Sequence, residues 1–225
     1  MNIDPEIMAS WARSRFAAWL RARGLGNRLR ETCSGVLPYG GPKSVQFIKY
    51  EYIAPEGLPG LYPETFDTET LYHGTYAPCL ARILATQRFL ESDESNGLGM
   101  ENHTGVPAVF AAETLDHAMR YAFPSTMLHD NIYYGVLFEL QVLRSGIRSR
   151  AKGEVRLSNR DVRIAKVYLL LNLNIEKGGC KMPEWRDELE LLPDVLVARR
   201  SASVAGHGEL CAAPLRRTAW HNEDI

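Results

Sequence analysis

Residues 71–75 read LYHGT, and the fold of the chain can be worked out from this short stretch. Its two leading apolar residues predict a strand that ends near His73 and Gly74, and Thr75 is placed to cap the element that follows. Glycine has no Cβ, so the backbone at Gly74 can come close to a ligand. A histidine and a glycine at a strand end are ordinary by themselves, so their meaning depends on the partners that the rest of the chain supplies.

The chain that follows this stretch alternates short helical and strand patterns. In order, the patterns predict a helix over 78–86, a loop over 92–105, a strand over 106–111, a helix over 114–121, a strand over 132–142, a basic loop over 144–152 and a strand over 162–173. Thr114 is expected to be the N-cap of the second helix. Many strands with a few short helices favour an α+β fold over a doubly wound α/β sheet.

The chain that precedes this stretch begins with an amphipathic pattern. Aromatic and apolar residues recur at helical spacing over 5–30, and six arginines run from Arg13 to Arg30 without an intervening acid. We interpret this segment either as a helix that packs its aromatic stripe on the main domain or as a basic surface for a nucleic acid or an acidic partner. Residues 34–67 are rich in glycine and proline and predict a linker that contains one edge strand over 44–53.

Composition narrows the functional classes. The 225 residues include 26 basic and 27 acidic side chains, a balance that argues against capture of nucleic acid by the whole surface. No apolar run is long enough to cross a bilayer, and the first residues do not resemble a signal peptide, so we expect an intracellular protein, cytoplasmic or nuclear, with no membrane partner. The four cysteines are dispersed, which is typical of a reducing compartment. The histidines of the middle segment lack acidic partners at ligand spacing, so we expect no metal.

Three blocks of sequence, in order, resemble the ADP-ribosyltransferase superfamily on its diphtheria-toxin and poly(ADP-ribose)-polymerase side. The first block is LYHGT, which is similar to the family's strand with a His-Gly pair. In the second, VFAAETLDHAMRYA, the aromatic Phe110 ends a strand, the small residue Ala111 follows, and a helix carries Tyr121 eleven positions after the aromatic. In the third, GEVRLSNRDVRIAKVYLLLNL, Glu154 opens a strand that a turn and an apolar final strand follow.

The resemblance implies a fold, a reaction and a division of the chain. The fold would be a split mixed or antiparallel sheet with short helices and an added N-terminal helical segment. The chain would divide into a basic amphipathic helical segment (1–33), an ADP-ribosyltransferase-like domain (34–198) and a flexible tail (199–225). NAD would be the co-substrate, no metal would take part, and ADP-ribose, more simply as a single unit than as a chain, would pass to a macromolecular acceptor, either a protein or a nucleic acid.

The resemblance also implies a role for each matching residue. Glu154 would be the catalytic carboxylate that stabilises a transition state resembling an oxocarbenium ion. His73 would hydrogen-bond the adenosine-side ribose, Gly74 would offer its backbone to the nicotinamide carboxamide, and Tyr121 would stack on the nicotinamide ring. Phe110 would form the other wall of the pocket. The further cofactor-binding positions within the same motifs are Thr75 and Ala111.

Three positions depart from the family pattern. Phe110 stands where the family's His-Tyr-Glu group usually has a tyrosine, which keeps a ring face and loses a hydroxyl. Ala118 stands where a helical serine often holds the carboxamide, which removes a hydrogen bond. Lys152, two residues before the glutamate, does not resemble the loops of toxins that modify arginine or small GTPases. The departures keep a second interpretation open, a weak or inactive domain of the same fold that binds NAD, ADP-ribose or RNA.

A third interpretation is an NAD-dependent RNA 2′-phosphotransferase, an enzyme class that resembles this chain in fold and relies on basic residues around a phosphate. The candidate cluster consists of Arg144, Arg148, Arg150, Lys152 and Arg156. We rank this interpretation lower because those enzymes do not depend on a glutamate at the start of a strand, where this chain has Glu154.

Overall fold

The structure is a computed structural model that describes residues 5–39, 43–89, 91, 108–122, 124–128 and 132–172. Its strands are β1 (Leu29–Tyr39), β2 (Lys43–Tyr52), β3 (Thr68–Thr75), β4 (Val109–Ala112), β5 (Tyr133–Leu143), β6 (Ile147–Ala151), β7 (Glu154–Leu157) and β8 (Val162–Asn172). Its α-helices are α1 (Pro5–Ala22), α2 (Leu80–Thr86) and α3 (Leu115–Met119), with short 3-10 turns between other elements. Strands therefore dominate the described residues, and the helices α2 and α3 are short, as the sequence pattern predicts.

The eight strands form one sheet in the order β1-β2-β8-β5-β3-β4-β7-β6. Every strand pairing within the described residues is antiparallel, so the parallel pairings that a mixed sheet would contain are not seen there. The neighbouring strands β3 and β4 are paired only at Tyr72 and Ala112, whereas β3 pairs with β5 along its whole length. The sheet thus consists of a five-stranded part and a three-stranded part, and we call the narrow junction between β3 and β4 the split.

Strand alternation gives the sheet two different faces. In β5, Val136, Phe138 and Leu140 are buried in the main core, which also holds the buried side chains of α1 and α2. Leu137, between them, belongs to a second and smaller cluster on the other face, together with residues of α3. We call these the main-core face and the α3 face.

Helix α1 packs on the main-core face. Its buried residues Met8, Ala12, Phe16 and Leu20 recur every four positions, which places them on one side of a helix. The ring of Phe16 lies 5.3 Å from the ring of Tyr50 in β2, measured between centroids. The structure therefore agrees with our first interpretation of this segment, a helix that packs its apolar stripe on the main domain.

Two segments that were not predicted to be strands form strands, and the edge strand predicted over 44–53 is wrong in position, because β2 lies between β1 and β8. Residues 29–33 were expected to be helical and residues 34–43 to form a linker, yet they belong largely to β1, which pairs along β2 and covers the edge that β2 would otherwise present. The basic loop expected over 144–152 contains β6. It is a strand because Lys152 and Gly153, with φ of 51° and 81°, form a two-residue turn of the kind that joins hairpin strands, and this turn pairs β6 with β7.

The two capping predictions had different outcomes. Thr114 is the N-cap of α3, where its side chain accepts a hydrogen bond from the backbone N–H of His117, so that prediction is confirmed. Thr75 does not cap the next element, because the 3-10 turn Ala77–Cys79 begins after Tyr76 and has no side-chain cap. Thr75 is still part of β3, so the capping position falls one residue later, on Tyr76.

Some expectations concern parts of the chain outside the described residues. The loop predicted over 92–105 and the tail over 199–225 both lie there. Among the helices that the structure does describe, none has both the length and the apolar character needed to cross a membrane.

Candidate functional site at the split

Glu154 is held at the start of β7 by the turn that precedes it. It pairs with Ala112 of β4 on one side and with Ala151 of β6 on the other. The carbonyl of Gly153 accepts a hydrogen bond of 3.1 Å from the backbone N–H of Glu113, just before α3. The expectation that a glutamate opens this strand is therefore confirmed, and the surrounding backbone fixes its position on the α3 face.

Tyr121 and His117 surround the carboxylate of Glu154. The Tyr121 hydroxyl donates a hydrogen bond of 2.5 Å to Oε1 of Glu154. The ring of His117 is stacked on the ring of Tyr121 with a centroid distance of 5.9 Å, and its Nε2 lies 3.9 Å from the same Oε1. We did not predict His117 as a site residue. The available signal was its four-residue spacing from Tyr121, which puts two side chains on one side of a helical turn.

Gly74 lies directly beneath the end of α3. A Cβ at this position would come within 2.2 Å of the carbonyl oxygen of Ala118 and within 2.7 Å of backbone atoms of Tyr121 and Ala122. The glycine is therefore required by the close approach of this helical segment to β3. Because the same segment contacts Glu154 through Tyr121, it bridges β3 and β7 across the split.

Phe110 and Arg156 lie beside this arrangement on the α3 face. Phe110 of β4 pairs with Arg156 of β7. This pair is two residues along the strands from the pair of Ala112 and Glu154, so all four side chains are on the same face. Diagonal neighbours of this kind are roughly 7–8 Å apart, which puts the Phe110 ring within reach of a ligand at Glu154. The guanidinium of Arg156, which is only 8% exposed, lies 5.2 Å from the Phe110 ring centroid and covers part of the ring.

His73 reaches into the split from the main-core face. Its Nδ1 lies 2.6 Å from the carbonyl oxygen of Phe110, so the Nδ1–H donates across the split to β4. The Phe89 ring meets the imidazole edge-on at 4.8 Å. Burial lowers the pKa of His73 below its ordinary value of 6.5, and the hydrogen bond to the carbonyl offsets this only in part. The neutral ring then has Nε2 as an acceptor for a hydroxyl group.

The lowered pKa of His73 predicts a loss of stability in acid. Below pH 6.5 the unfolded chain takes up a proton at His73 that the folded chain resists, so the free energy of unfolding should fall as the pH falls. The expected slope from this residue is at most about 1.4 kcal/mol per pH unit, between the unfolded and the folded pKa. Urea unfolding of the wild type and His73→Gln, at about pH 7.5 and about pH 5.5, measures it. An equal loss of stability in both proteins would contradict the assignment.

The other predicted site residues occupy less direct positions. The side chain of Ala111 is buried in the main core, on the face away from Glu154, so only its backbone is available to a ligand at the split. Thr75, the last residue of β3, is partly exposed and pairs with Val136. Ala118 is buried under the contact with Gly74, so a serine hydroxyl at this position would also be confined there.

The basic residues of 144–156 do not form one open phosphate site. Arg150 is paired with Glu69 and Glu113, and Arg144 is paired with Asp67 and Glu69. Lys152 is exposed in the turn between β6 and β7. Two of the five charges are thus neutralised by neighbouring carboxylates, and the Arg156 side chain is buried against Phe110, which weakens the argument for a phosphate-binding cluster.

The structure brings Tyr121, His117 and Glu154 into contact and connects His73 with Phe110. Side chains of His73 and Glu154 leave the sheet on opposite faces, so a ligand that touched both would have to pass through the split. Within the described part of the chain, no three metal-ligating side chains gather as a metal site would require. No protein-family model matches the chain, and a comparison with curated proteins found no match.

Proposed function

We propose that the chain is an NAD-dependent ADP-ribosyltransferase that acts inside the cell, most simply by adding single ADP-ribose units to a protein or nucleic acid acceptor. The observation that carries the proposal is the placement of Glu154 at the split, in hydrogen-bond contact with the hydroxyl of Tyr121. A fixed carboxylate beside an exposed aromatic ring suits a reaction in which a flat cationic group leaves a sugar. The order of the three sequence blocks supports the same assignment.

The proposed reaction breaks the bond between C1′ of the ribose and the nicotinamide nitrogen. The nicotinamide leaves with the bonding electron pair and becomes neutral, and positive charge develops on the ribose. The negative carboxylate of Glu154 stabilises that charge, which lowers the barrier to cleavage. The acceptor nucleophile then forms its bond to C1′ and loses a proton to solvent or to the site. The chain's own residues supply binding, orientation and electrostatic stabilisation.

In the proposed complex an elongated dinucleotide would contact residues on both sides of the split. The nicotinamide would stack on the face of Tyr121 that His117 leaves uncovered, since the Tyr121 side chain is 42% exposed. The ribose on the adenosine side would donate a hydroxyl hydrogen bond to Nε2 of His73.

Loss of the His73 side chain should affect binding, in contrast to loss of the catalytic carboxylate. His73→Ala should weaken NAD binding by roughly fivefold or more, because one hydrogen bond is worth about 1 kcal/mol. Titration calorimetry with NAD measures this, and Arg13→Gln, at a distant ion pair on α1, is a matched control. If His73→Ala binds NAD like the wild type and differs only in rate, the role assigned to His73 is wrong.

His117 is assigned as a positioning residue that holds the Tyr121 ring. His117→Ala should lower the rate of nicotinamide release by roughly two- to tenfold, the range expected for a lost stacking contact. His117→Phe retains a flat ring and should recover most of that rate. The imidazole could act by stacking on the Tyr121 ring or through its nitrogen near Glu154. Rates of nicotinamide release by both variants over a range of pH separate these two actions. Equal losses in both variants would show that the nitrogen near Glu154, and not the stack, matters.

A domain that binds NAD or ADP-ribose without turnover is the second candidate. Phe110 has no hydroxyl, its ring is partly covered by Arg156, and Ala118 offers no hydrogen bond to a carboxamide. These features favour binding without reaction. NAD that binds but never yields nicotinamide, with every acceptor class tried, would select this candidate. Incubation with 2′-phosphorylated RNA and NAD tests the 2′-phosphotransferase alternative, which predicts loss of the RNA phosphate.

A further inference from the structure

Helix α1 carries a row of alternating tryptophans and arginines that the site at the split does not use. Trp11, Arg15 and Trp19 recur every four residues along one flank of α1, and Arg23 follows at the same spacing just after the helix ends; we call these four residues the Trp–Arg ladder. The guanidinium of Arg15 lies 5.8 Å from the ring centroid of Trp11, and that of Arg23 lies 4.2 Å from the ring centroid of Trp19. Two successive cation–π pairs thus lie along α1 and the turn that follows it.

The ladder lies beside the stripe that α1 buries, and its two pairs differ in how far they are exposed to solvent. Trp11 is 44% exposed although it is a large aromatic residue, and Arg15 is exposed next to it. Trp19 is half-buried, because its ring is stacked on the buried ring of Phe16 at 5.9 Å. The second pair is therefore anchored to the core, while the first pair presents an indole and a guanidinium to solvent.

The ladder lies in a segment that is basic beyond the first turn of α1, where Glu6 lies. Between Ile7 and Arg30 the sequence contains six arginines and no acidic residue; Arg13, Arg15 and Arg21 lie in α1, and Arg30 of β1 is paired with Glu51. Arg13, on the opposite flank of α1, is bound to Glu31 and Ser34 of β1, so its charge serves the attachment of the helix to the sheet. The exposed flank with Arg15 is thus the flank that offers positive charge to a partner.

We propose that the Trp–Arg ladder binds a single-stranded nucleic acid. Such ligands combine flat bases, which stack on aromatic rings and guanidinium planes, with phosphates that attract arginine. A membrane surface fits less well, because the apolar stripe of α1 that would enter lipid is buried in the protein. An acidic peptide would bind the arginine charges, but its carboxylates would not stack on the exposed indole of Trp11.

Fluorescence anisotropy with a labelled single-stranded oligothymidylate of about 12 nucleotides tests the proposal directly. Trp11→Ala should weaken binding by roughly tenfold, because stacking of a base on an aromatic side chain accounts for about that factor. Arg15→Gln should lower the slope of log K against log salt by about 0.7, the contribution of one phosphate contact on a single strand. Oligouridylate should behave in the same way, since the stacking and the phosphate contacts do not depend on the sugar.

The control variant comes from the same helix. Arg13→Gln removes an arginine that is bound to β1 on the opposite flank, and this variant should bind like the wild type. A duplex of the same length and polyglutamate are the competing ligands. The proposal is overturned if Trp11→Ala binds the oligonucleotide like the wild type, or if duplex or polyglutamate binds as tightly as the single strand.

Oligonucleotide binding can be tested separately from the proposed transferase reaction. The assay contains no NAD, and Trp11 lies outside the site at the split, so Trp11→Ala should release nicotinamide from NAD at the wild-type rate. Loss of oligonucleotide binding with normal NAD cleavage in this variant is the expected pattern. Oligonucleotide binding without any NAD cleavage by the wild type would instead contradict the transferase proposal alone.

Discussion

Replacing Glu154 by glutamine is expected to lower the rate of nicotinamide release from NAD by roughly 10²–10³-fold, the range seen when one electrostatic contact to a transition state is removed. Glutamine keeps the size of the side chain and an oxygen that can accept from Tyr121, so the local structure should persist. What is lost is the negative charge that, in the proposed reaction, stabilises the ribose cation. The change should therefore appear in kcat, while the affinity for NAD stays near the wild-type value.

Glu113→Gln is the matched control for this experiment. Glu113 is a half-exposed carboxylate whose backbone is bonded to the turn before Glu154 and whose side chain is paired with Arg150. Its replacement should leave kcat within about threefold of wild type, since surface changes of this kind cost about 0.5 kcal/mol or less. If Glu154→Gln and Glu113→Gln release nicotinamide at similar rates, the catalytic role of Glu154 is ruled out.

Replacing Gly74 by alanine is expected to destabilise the fold by about 3 kcal/mol, at the upper end of typical overpacking costs. The added methyl would lie 2.2 Å from the Ala118 carbonyl oxygen and close to two further backbone atoms, none of which can turn away as a side chain would. Either β3 or the end of α3 must shift. For a domain of this size the melting temperature should fall by roughly 6–12 °C.

Gly60→Ala serves as the control, because a Cβ at Gly60 meets nothing within 4 Å and the residue has no positive φ. Its melting temperature should stay within about 2 °C of wild type. Gly74→Ala should also lose NAD cleavage at temperatures where it is still folded, because the shift moves Tyr121 relative to Glu154. A melting temperature like that of the wild type would show that the backbone contact at Gly74 is not as close as described.

The parts of the fold that could be predicted from sequence are those with a local signal. The strands β5 and β8 are long apolar runs buried in the centre of the sheet, and their composition alone predicts strands. Thr114 has the side chain that a helix N-cap needs, and it occupies that position. Glu154 was placed at a strand start by the resemblance of its sequence block to the family, and β7 begins at this residue.

The parts that could not be predicted depend on contacts between distant residues. In β1, polar residues, a glycine and a proline interrupt the alternation, and the pairing with β2 shifts register between Glu31 and Cys33, so no strand pattern is visible. In β6 only Ile147 is partly buried and the following residues are exposed, so the segment resembles a basic loop until β7 pairs with it. The interior position of β2 could not be predicted from its own sequence or from the sequences that flank it.

The candidate site shows the same division. Its individual residues could be named from motifs, and their expected order along the chain was sufficient to propose a reaction. The contact of His117 with Tyr121, the requirement of α3 for a glycine at position 74, and the cover of Phe110 by Arg156 all arise from packing across strands. Such packing is decided by three-dimensional neighbours, which a single sequence does not reveal.

The central claim is that this chain cleaves the bond between nicotinamide and ribose in NAD. The most direct measurement is the release of nicotinamide from saturating NAD by the wild-type protein, followed by chromatography beside a protein-free control and Glu154→Gln. The claim predicts steady release by the wild type, well above the protein-free rate, with little release by the variant. Release at the protein-free rate by the wild type, with protein and nucleic acid acceptors both supplied, would contradict it.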